Sequence, residues 1–375
     1  MHLSDLHIGK RVNEFPMIKD QEYVFTEILG MIDSEHVDGV MIAGDVYDKS
    51  QPSAEAIKLF DDFLTRIAEK KIPVFVISGN HDSTERVAYG GRLMRLSSVY
   101  LAPEFNGKLE PVVLNDEYGE IAFYLLPFIK PANVRGIYGD DEITNYNDAV
   151  KAVIDHTETD CKRRNVIISH QFVTGAVASG SEDVSVGGVD NIDYHLFDAF
   201  DYAALGHIHG AQRVGRDTVR YGGTPLKYSF SEVSQKKVVT IVDIKEKGNV
   251  EIHLLPLSPM HDMREIRGTY MELTARDFYK DTAVDDYLHV ILTDEEETPD
   301  VIGKLRSIYP NIMRVEYDNT RTSSSNSVAA SREMLSKSPV ELFGDLYKLQ
   351  NNREMTDEQI KYTLGIIDRI WGDEN

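Results

Sequence analysis

The sequence contains only one cysteine, Cys161, and no long hydrophobic run. A single cysteine excludes an internal disulfide and a zinc site built from several cysteines. No segment approaches the roughly 18 consecutive apolar residues that cross a bilayer, and the first residues form no apolar signal region, so we expect a cytoplasmic protein. A GxxxxGK[ST] loop is also missing, which indicates that any ATP hydrolysis coupled to this protein belongs to a partner.

Positive charge is scarce as well. The chain has 375 residues with 40 lysines and arginines against 62 aspartates and glutamates, a formal net charge of −22. This balance argues against binding nucleic acid through a globally basic surface. It leaves open a nucleic-acid enzyme in which local loops, bound cations or a second subunit supply the positive charge. We interpret the acidic run DEEE at 294–297 as a solvated loop.

The first two thirds of the chain alternate short apolar runs with helical patterns, in a sequence long enough for two domains. Helical spacing of apolar residues predicts helices over 21–36 and 53–70. The alternation predicts an α/β layered fold over residues 1–258. Buried strands are predicted at 40–45, 74–80, 123–127 and 166–171, and an antiparallel hairpin at 236–244 and 250–257.

The pattern changes after residue 258. Residues 263–318 read as strand, strand, helix, strand, with the first strand over 263–274, which predicts a small α/β domain. Residues 320–337 begin with the polar stretch TRTSSSNS and are predicted to be a linker. A helical tail follows over 338–375, with helices at 338–350 and 356–371 capped by Ser338 and Thr356. The last helix carries one apolar stripe, consisting of Ile360, Leu364, Ile367 and Trp371.

Five short stretches place acidic, amide or imidazole groups at or just after the carboxyl end of a predicted strand. Loops beyond these strand ends form the ligand crevice of open α/β folds, so groups far apart in sequence meet there. The stretches are SDLH (Asp5, His7), AGDVYD (Asp45, Asp48), SGNHD (Asn80, His81, Asp82), ISHQ (His170) and LGHIH (His207, His209).

Seven of these residues are suitable metal ligands. Two ions of coordination number five or six are satisfied by seven residues and water if one carboxylate bridges, and Asp45 is the obvious candidate. Mixed imidazole and carboxylate ligands favour manganese, iron or zinc over magnesium or calcium. Each stretch alone has an ordinary explanation as a turn, a cap or a structural histidine; together they predict a two-metal site that acts on phosphate esters. The seven are Asp5, His7, Asp45, Asn80, His170, His207 and His209.

The order D-x-H, G-D-x-x-D, G-N-H-D, H and G-H-x-H resembles the calcineurin-like metallophosphoesterase superfamily. The stretches DLHIGK, SGNHDSTERV, SVGGVDNID, YAALGHIHGAQ and GGTPLKYSFSE are similar to its bacterial DNA nuclease branch, and the similarity covers the whole chain. The resemblance implies a four-layer α-β-β-α sandwich with a small α/β capping domain and a C-terminal helical tail. It also implies two divalent ions per subunit, for which we expect Mn²⁺.

The resemblance assigns the ligands to two ions. One ion is bound by Asp5, His7, Asp45 and His209, and the other by Asp45, Asn80, His170 and His207. His81 is implied to donate to the transition-state oxygen or to the leaving group. Asp82 is implied to orient His81 by a hydrogen bond. Asp48 stands where archaeal and eukaryotic relatives have a histidine, and either supports the site or forms a turn.

Activity and partners also follow from the resemblance. It implies a DNA exonuclease and endonuclease that acts on DNA ends and hairpins in an ATP-dependent complex. The tail is implied to bind an ABC-type ATPase, and segments 53–70 and 85–98 to form a homodimer. For the latter, Leu59, Phe63, Leu93, Met94 and Leu96 either face the partner or cover the sheet. Candidate DNA contacts, with ordinary surface charge as the alternative, are Lys10, Arg11, Arg86, Lys227 and Tyr228.

The sequence leaves two competing functions and one structural question open. The same metal site serves a phosphoesterase that acts on small phosphate esters or phosphoproteins. A non-catalytic scaffold on a degenerate phosphoesterase fold is the third possibility, although every expected ligand position is filled. Only four residues precede Asp5, so either the natural start lies upstream of Met1 or the first strand is very short.

Overall fold

The computed structural model of the protein describes residues 1–182, 191–319, 343–344, 346–348 and 354–371. The chain forms two compact units, Met1–Asp262 and Met263–Asn375. The predicted linker 320–337, Ser338 and most of the predicted helix 338–350 lie outside the described residues. None of the helices in the described part of the chain is long and apolar enough to cross a membrane.

Fourteen strands and six α-helices make up the described part of the first unit. The strands are β1 (His2–Leu3), β2 (Arg11–Val12), β3 (Phe15–Pro16), β4 (Val40–Ala43), β5 (Val74–Ile77), β6 (Val99–Ala102), β7 (Val112–Asp116), β8 (Gly119–Leu126), β9 (Arg164–His170), β10 (Tyr202–Gly206), β11 (Gln212–Val214), β12 (Arg216–Tyr221), β13 (Val238–Ile244) and β14 (Val250–Pro256). The helices are α1 (Ile18–Ser34), α2 (Ala54–Glu69), α3 (Thr84–Ala88), α4 (Gly91–Met94), α5 (Pro131–Tyr138) and α6 (Tyr146–Asp155).

Two six-stranded sheets form the centre of this unit. Their orders are β14-β13-β1-β4-β5-β6 and β11-β12-β10-β9-β8-β7. The strands β1, β4, β5 and β6 are parallel, as are β8, β9, β10 and β12, and antiparallel strands complete the edges. The predicted hairpin is confirmed as β13 and β14. Because the central strands of each sheet are parallel, their carboxyl ends collect at one edge of that sheet.

The apolar core lies in three places that define four layers. Between the sheets, Phe75 of one stacks on Phe123 of the other with ring centroids 4.2 Å apart. Helices α5 and α6 cover the second sheet, where Val134 and Val150 join a buried cluster with Tyr124. Helix α1 packs on α2, and α2 packs on β5 of the first sheet. Strands with both faces covered read as continuous apolar runs, which explains VMIA and VFVI.

The position of Phe63 selects one of the two alternatives given for this residue. Its side chain is 1% exposed and stacks on Phe25 of α1 with ring centroids 4.7 Å apart, so Phe63 belongs to the core of its own subunit. Segment 85–98 contains two short α-helices, α3 and α4, which are separated at Gly90, where φ is 76°. Leu93 and Leu96 remain 74% and 85% exposed.

The first strand has only two residues, although it lies between β13 and β4 in the middle of its sheet. Side-chain bonds to the other sheet compensate for the short ladder. The imidazole of His2 lies 2.9 Å from the Tyr202 hydroxyl and 3.2 Å from the Leu205 carbonyl oxygen, and Ser4 Oγ donates to the Gly223 carbonyl. A brief central strand is therefore what this sequence forms.

The second unit contains a three-stranded parallel sheet in the order β15-β16-β17. Its elements are β15 (Met263–Gly268), α7 (Tyr270–Leu273), α8 (Arg276–Tyr279), β16 (Tyr287–Leu292), α9 (Val301–Arg306), β17 (Ile312–Tyr317) and α10 (Asp357–Trp371). The prediction that residues 269–274 continue the first of these strands is wrong. Thr269 and Glu272 form a capping box that begins α7 instead.

The last helix begins at a second reciprocal cap. The Thr356 N–H donates to Gln359 Oε1 at 2.9 Å, and the Gln359 N–H donates to Thr356 Oγ1 at 3.4 Å. Ile360 and Leu364 of the predicted apolar stripe are 37% and 42% exposed. The side chains of Ile367 and Trp371 lie outside the described residues.

Candidate metal centre

The seven predicted ligands meet where the carboxyl ends of strands from both sheets face each other. Asp5 and His7 follow β1, Asp45 follows β4, and Asn80 follows β5. From the second sheet, His170 ends β9 while His207 and His209 follow β10. The register pairs Gly206 with His170, which aligns these two strand ends. All of these ligands except Asn80 are at most 6% exposed.

The first group of ligand atoms consists of Asp5, His7 and His209. One ligand atom from each lies within 4.8 Å of the others. His7 Nε2 and His209 Nε2 are 3.2 Å apart, and the rings meet at 68° with centroids 5.1 Å apart. Asp5 Oδ2 is buried and has no hydrogen-bond partner among the described residues. Two facing imidazole nitrogens and an orphaned carboxylate oxygen fit a shared cation.

The second group is built around His170. His170 Nε2 lies 3.4 Å from Asp45 Oδ2 and 3.0 Å from Asn80 Oδ1. His207 Nδ1 is 3.1 Å from the same Asn80 oxygen. His170 Nδ1 is 2.8 Å from the Ala43 carbonyl oxygen, to which only an N–H can donate, so Nε2 is the ring nitrogen directed into the group.

The two groups are joined by carboxylates. Asp45 Oδ2 lies 3.4 Å from His170 Nε2 and 3.8 Å from His7 Nε2, so one oxygen faces both groups. Asp5 also has an oxygen within 4.8 Å of Asp45 and His170. The donor set therefore fits two divalent ions, with Asp45 between them.

The backbone at the ligands is held in an unfavourable conformation. Positive φ angles of 51°, 44°, 48° and 105° occur at Asp5, His7, Asp45 and His207. Residues other than glycine are disfavoured in this conformation. The surrounding structure enforces them: the Asp5 N–H donates to the Gly44 carbonyl at 3.1 Å, and the His7 N–H to the Asp45 carbonyl at 3.0 Å. Strain of this kind concentrates at functional sites.

Burial and mutual charge shift the pKa values of these groups. Burial raises the pKa of Asp5 to about 6 and lowers that of His7 well below its usual value. Burial also opposes the charged forms of Asp45 and His170, but their mutual attraction outweighs it. The pKa of Asp45 is therefore well below its usual range, and that of His170 rises to about 9.

His81 lies at the open side of this centre. Its side chain is 28% exposed, and its Nε2 is 3.9 Å from Asp45 Oδ2. His81 Nδ1 donates to the Asp48 carbonyl oxygen over 3.2 Å. The ring is thus fixed at one nitrogen while the other faces both the centre and the solvent.

The expected role of Asp82 is corrected by its contacts. Among the described residues, its carboxylate accepts the N–H groups of Val46, Tyr47 and Gly79 at 2.9–3.0 Å rather than a proton from His81. Asp82 therefore ties the loop after β4 to the loop after β5. The Asp48 side chain pairs with Lys10 at 2.7 Å, outside the ligand set.

The candidate DNA contacts separate into accessible and buried residues. Arg11 and Arg86 are exposed, Lys10 is partly exposed beside Asp48, and Lys227 pairs with Asp262 at 2.8 Å. The prediction that Tyr228 contacts DNA is wrong, because its side chain is 3% exposed. Its hydroxyl donates to the Leu6 carbonyl at 2.6 Å, and its ring packs edge-on against His7.

Several buried residues behind the ligands are not predicted by any pattern in the sequence. Gln21 of α1 is fully buried; its Nε2 donates to the His7 carbonyl at 2.8 Å, and its Oε1 accepts the Gly9 N–H at 2.9 Å. Glu232 and Lys237 are buried beside His209. A lone glutamine on a helix and an isolated Glu/Lys pair carry no pattern that separates them from surface residues. Glu232 does stand in the stretch GGTPLKYSFSE.

Comparisons with known proteins agree with this architecture. A family model described as calcineurin-like phosphoesterase matches residues 1–211, and one described as type 5 capsule protein repressor C-terminal domain matches residues 259–351. The chain is 30% identical over 374 residues to the SbcD subunit of the nuclease SbcCD from Staphylococcus epidermidis (strain ATCC 12228 / FDA PCI 1200), covering 98% of both chains. The chain belongs to the calcineurin-like phosphoesterase family. Within that family it belongs to the branch of the SbcD nuclease subunits.

Proposed function

We propose that this chain is the nuclease subunit of an SbcCD-type ATP-dependent DNA-processing complex and hydrolyses DNA phosphodiester bonds, both at ends and hairpins and internally. The observation that carries the proposal is the cluster of seven oxygen and nitrogen donors in two joined groups. We propose Mn²⁺ as the physiological ion and the cytoplasm as the location. The similarity to the SbcD subunit of a nuclease supports DNA over small esters as the substrate.

Each side chain has a distinct part in the proposed reaction. Asp5, His7, Asp45 and His209 would hold one ion, and Asp45, Asn80, His170 and His207 the other. Bound there, the two ions would lower the pKa of a water molecule and neutralise charge on the phosphate. His81, held through Nδ1 by the Asp48 carbonyl, directs Nε2 toward the centre. Protonated, it donates that proton to the leaving sugar oxygen.

The substrate is tested by comparing two esters. The full chain, with Mn²⁺ and with or without an SbcC-type ATPase, is given duplex DNA and an aryl phosphodiester. We expect DNA cleavage that depends on Mn²⁺ and is lost in His81→Ala. Turnover of the aryl ester without DNA cleavage in either condition would identify a small-ester phosphoesterase, and failure to bind any divalent ion would favour a scaffold.

We propose a homodimer formed through α2 and the α3–α4 segment. Exposed apolar side chains in that segment support this surface, since Tyr89, Leu93 and Leu96 are 84%, 74% and 85% exposed. Leu93→Glu combined with Leu96→Glu is expected to give a monomer in light scattering, with Met271→Glu as a control at an equally exposed residue of the second unit. A dimer that persists in the double variant would contradict this interface.

We further propose that the tail of residues 338–375 binds the ABC-type ATPase partner. Ile360, Leu364 and Ile366 of α10 are 37%, 42% and 39% exposed, which leaves apolar surface for a partner. Ile360→Glu combined with Leu364→Glu is expected to abolish co-purification with the ATPase and to leave Mn²⁺ binding unchanged. Wild-type co-purification of that variant would place the partner elsewhere.

A further inference from the structure

Glu232 is fully buried directly behind one of the proposed metal ligands. Its Oε1 lies 3.1 Å from His209 Nδ1, and its Oε2 accepts from Lys237 Nζ at 2.6 Å. Lys237 is 8% exposed and also reaches the His209 carbonyl oxygen at 3.1 Å. Burying an ion pair is costly, and apolar residues of similar size commonly give equal stability. The pair therefore calls for an explanation other than stability.

The hydrogen bonds around His209 Nδ1 determine which ring nitrogen carries the proton. Nδ1 faces Glu232 Oε1 and, at 2.8 Å, Ser181 Oγ, while the Ser181 hydroxyl lies 2.6 Å from the same carboxylate oxygen. An ionised carboxylate only accepts, so the hydroxyl proton goes to Glu232 and the serine oxygen is left as an acceptor. Nδ1 must then hold the proton, and the Nε2 lone pair faces His7 Nε2 at 3.2 Å.

We propose that Glu232, with Lys237 as its counter-ion, is a positioning residue that fixes the Nδ1-protonated tautomer of His209 and so makes Nε2 available to a metal ion. The inference rests on the two-ion centre proposed above. Without the carboxylate, the Ser181 hydroxyl can rotate and donate to Nδ1, which places a proton on Nε2 and blocks that ligand. Glu182 cannot replace Glu232, because it accepts the backbone N–H of His209 at 2.9 Å and does not contact the ring nitrogen.

The test removes both charges of the pair, because removing one leaves the other buried without a partner. In the full chain carrying Glu232→Leu and Lys237→Met, Mn²⁺ binding is measured by calorimetry after metal removal. We expect one ion to bind about 10–100-fold more weakly and the other to bind as in the wild type, since His209 belongs to one group only. Wild-type affinity for both ions would overturn the proposal.

An ion pair with one buried and one exposed partner supplies a control, since the side chain of Asp201 is 3% exposed and that of Lys247 is 37% exposed. Lys247 Nζ lies 2.8 Å from Asp201 Oδ2, just before β10 and at the opposite end of that strand from His207. Asp201→Asn with Lys247→Met is expected to keep both Mn²⁺ affinities. An equal loss of one ion in this control would show that the effect comes from removing an ion pair elsewhere in the first unit, and would overturn the role of Glu232.

The tautomer is observed directly in the metal-free protein. Long-range ¹H–¹⁵N spectra of ¹⁵N-histidine protein are expected to show His209 protonated at Nδ1 in the wild type and at Nε2, at least in part, in the Glu232→Leu/Lys237→Met variant. Nδ1 protonation unchanged in the variant would overturn the proposal. Failure of the wild type to bind Mn²⁺ would instead contradict the proposed function, so the two failures are distinguishable.

Discussion

His2 provides a quantitative test of how the short central strand is held. It is fully buried, with Nδ1 accepting from the Tyr202 hydroxyl at 2.9 Å and Nε2 donating to the Leu205 carbonyl oxygen at 3.2 Å. This pair of bonds uses the neutral ring, because a protonated Nδ1 could not accept from the hydroxyl. Burial, followed by repulsion from the N-terminal ammonium, lowers the pKa of His2 from 6.5 to about 3.

This shift makes the stability of the first unit depend on pH. The unfolded chain binds the His2 proton below about pH 6.5, whereas the folded protein does so only near pH 3. Between these values the unfolded state holds more protons, so stability is fully present above pH 6.5 and falls as the pH falls. The slope is about 1.4 kcal/mol per pH unit, which amounts to about 2 kcal/mol between pH 8 and pH 5.

The assay is urea unfolding in EDTA at pH 5 to 8, followed by circular dichroism, for the wild type and His2→Gln. Glutamine retains a donor and an acceptor but does not titrate. We expect the free-energy difference between the two proteins to shrink by about 2 kcal/mol from pH 8 to pH 5. The control is His195→Gln, at a histidine whose side chain is 61% exposed. Its unfolding free energy is expected to depend on pH as that of the wild type does. A parallel curve for His2→Gln would refute the reasoning.

Three further predictions concern the site. Asp45→Asn is expected to weaken the binding of both Mn²⁺ ions in calorimetry, whereas Asp48→Asn is expected to leave both affinities unchanged. If Asp45→Asn bound one ion with wild-type affinity, a bridging role for Asp45 would be excluded. Gly206→Ala is expected to destabilise the protein by about 1–3 kcal/mol, because the new Cβ overlaps the Ala43 carbonyl oxygen. Gly136→Ala on α5, where a Cβ meets open space, is the control and is expected to leave the stability unchanged. Equal unfolding midpoints for the two variants would contradict this prediction. Tyr228→Phe is expected to lower the free energy of unfolding by about 1 kcal/mol without changing DNA affinity. Weaker DNA binding at unchanged stability would instead indicate that Tyr228 contacts DNA.

The meeting of the ligands could be predicted from sequence because it follows from topology. Parallel strands align their carboxyl ends, so apolar runs ending in Asp45, Asn80 and His170 were sufficient to infer one crevice. The hairpin and the α/β alternation followed from apolar patterns in the same way, whereas the four-layer arrangement was implied by the family resemblance. Recognition of these elements needs only local patterns of about five to fifteen residues.

The contacts behind the ligands could not be predicted, because they depend on packing between distant segments. The family resemblance implied a hydrogen bond between Asp82 and His81, the residue before it. The chain turn instead directs the carboxylate to three backbone amides. Tyr228 follows Lys227 in a loop with charged neighbours, yet its ring lies under His7. Burial of a side chain in a loop leaves no periodic trace in the sequence.

The two histidines of LGHIH show how the fold modifies a local rule. Residues two apart on a strand point to the same side, which predicts two rings converging on one object. The strand ends at Gly206, however, and His207 turns away at φ 105°. His207 Nδ1 therefore reaches Asn80 in one group, whereas His209 Nε2 reaches His7 in the other. A side chain at position 206 would overlap the Ala43 carbonyl oxygen. The glycine therefore allows this turn to approach the first sheet closely enough for His207 and His209 to reach different groups.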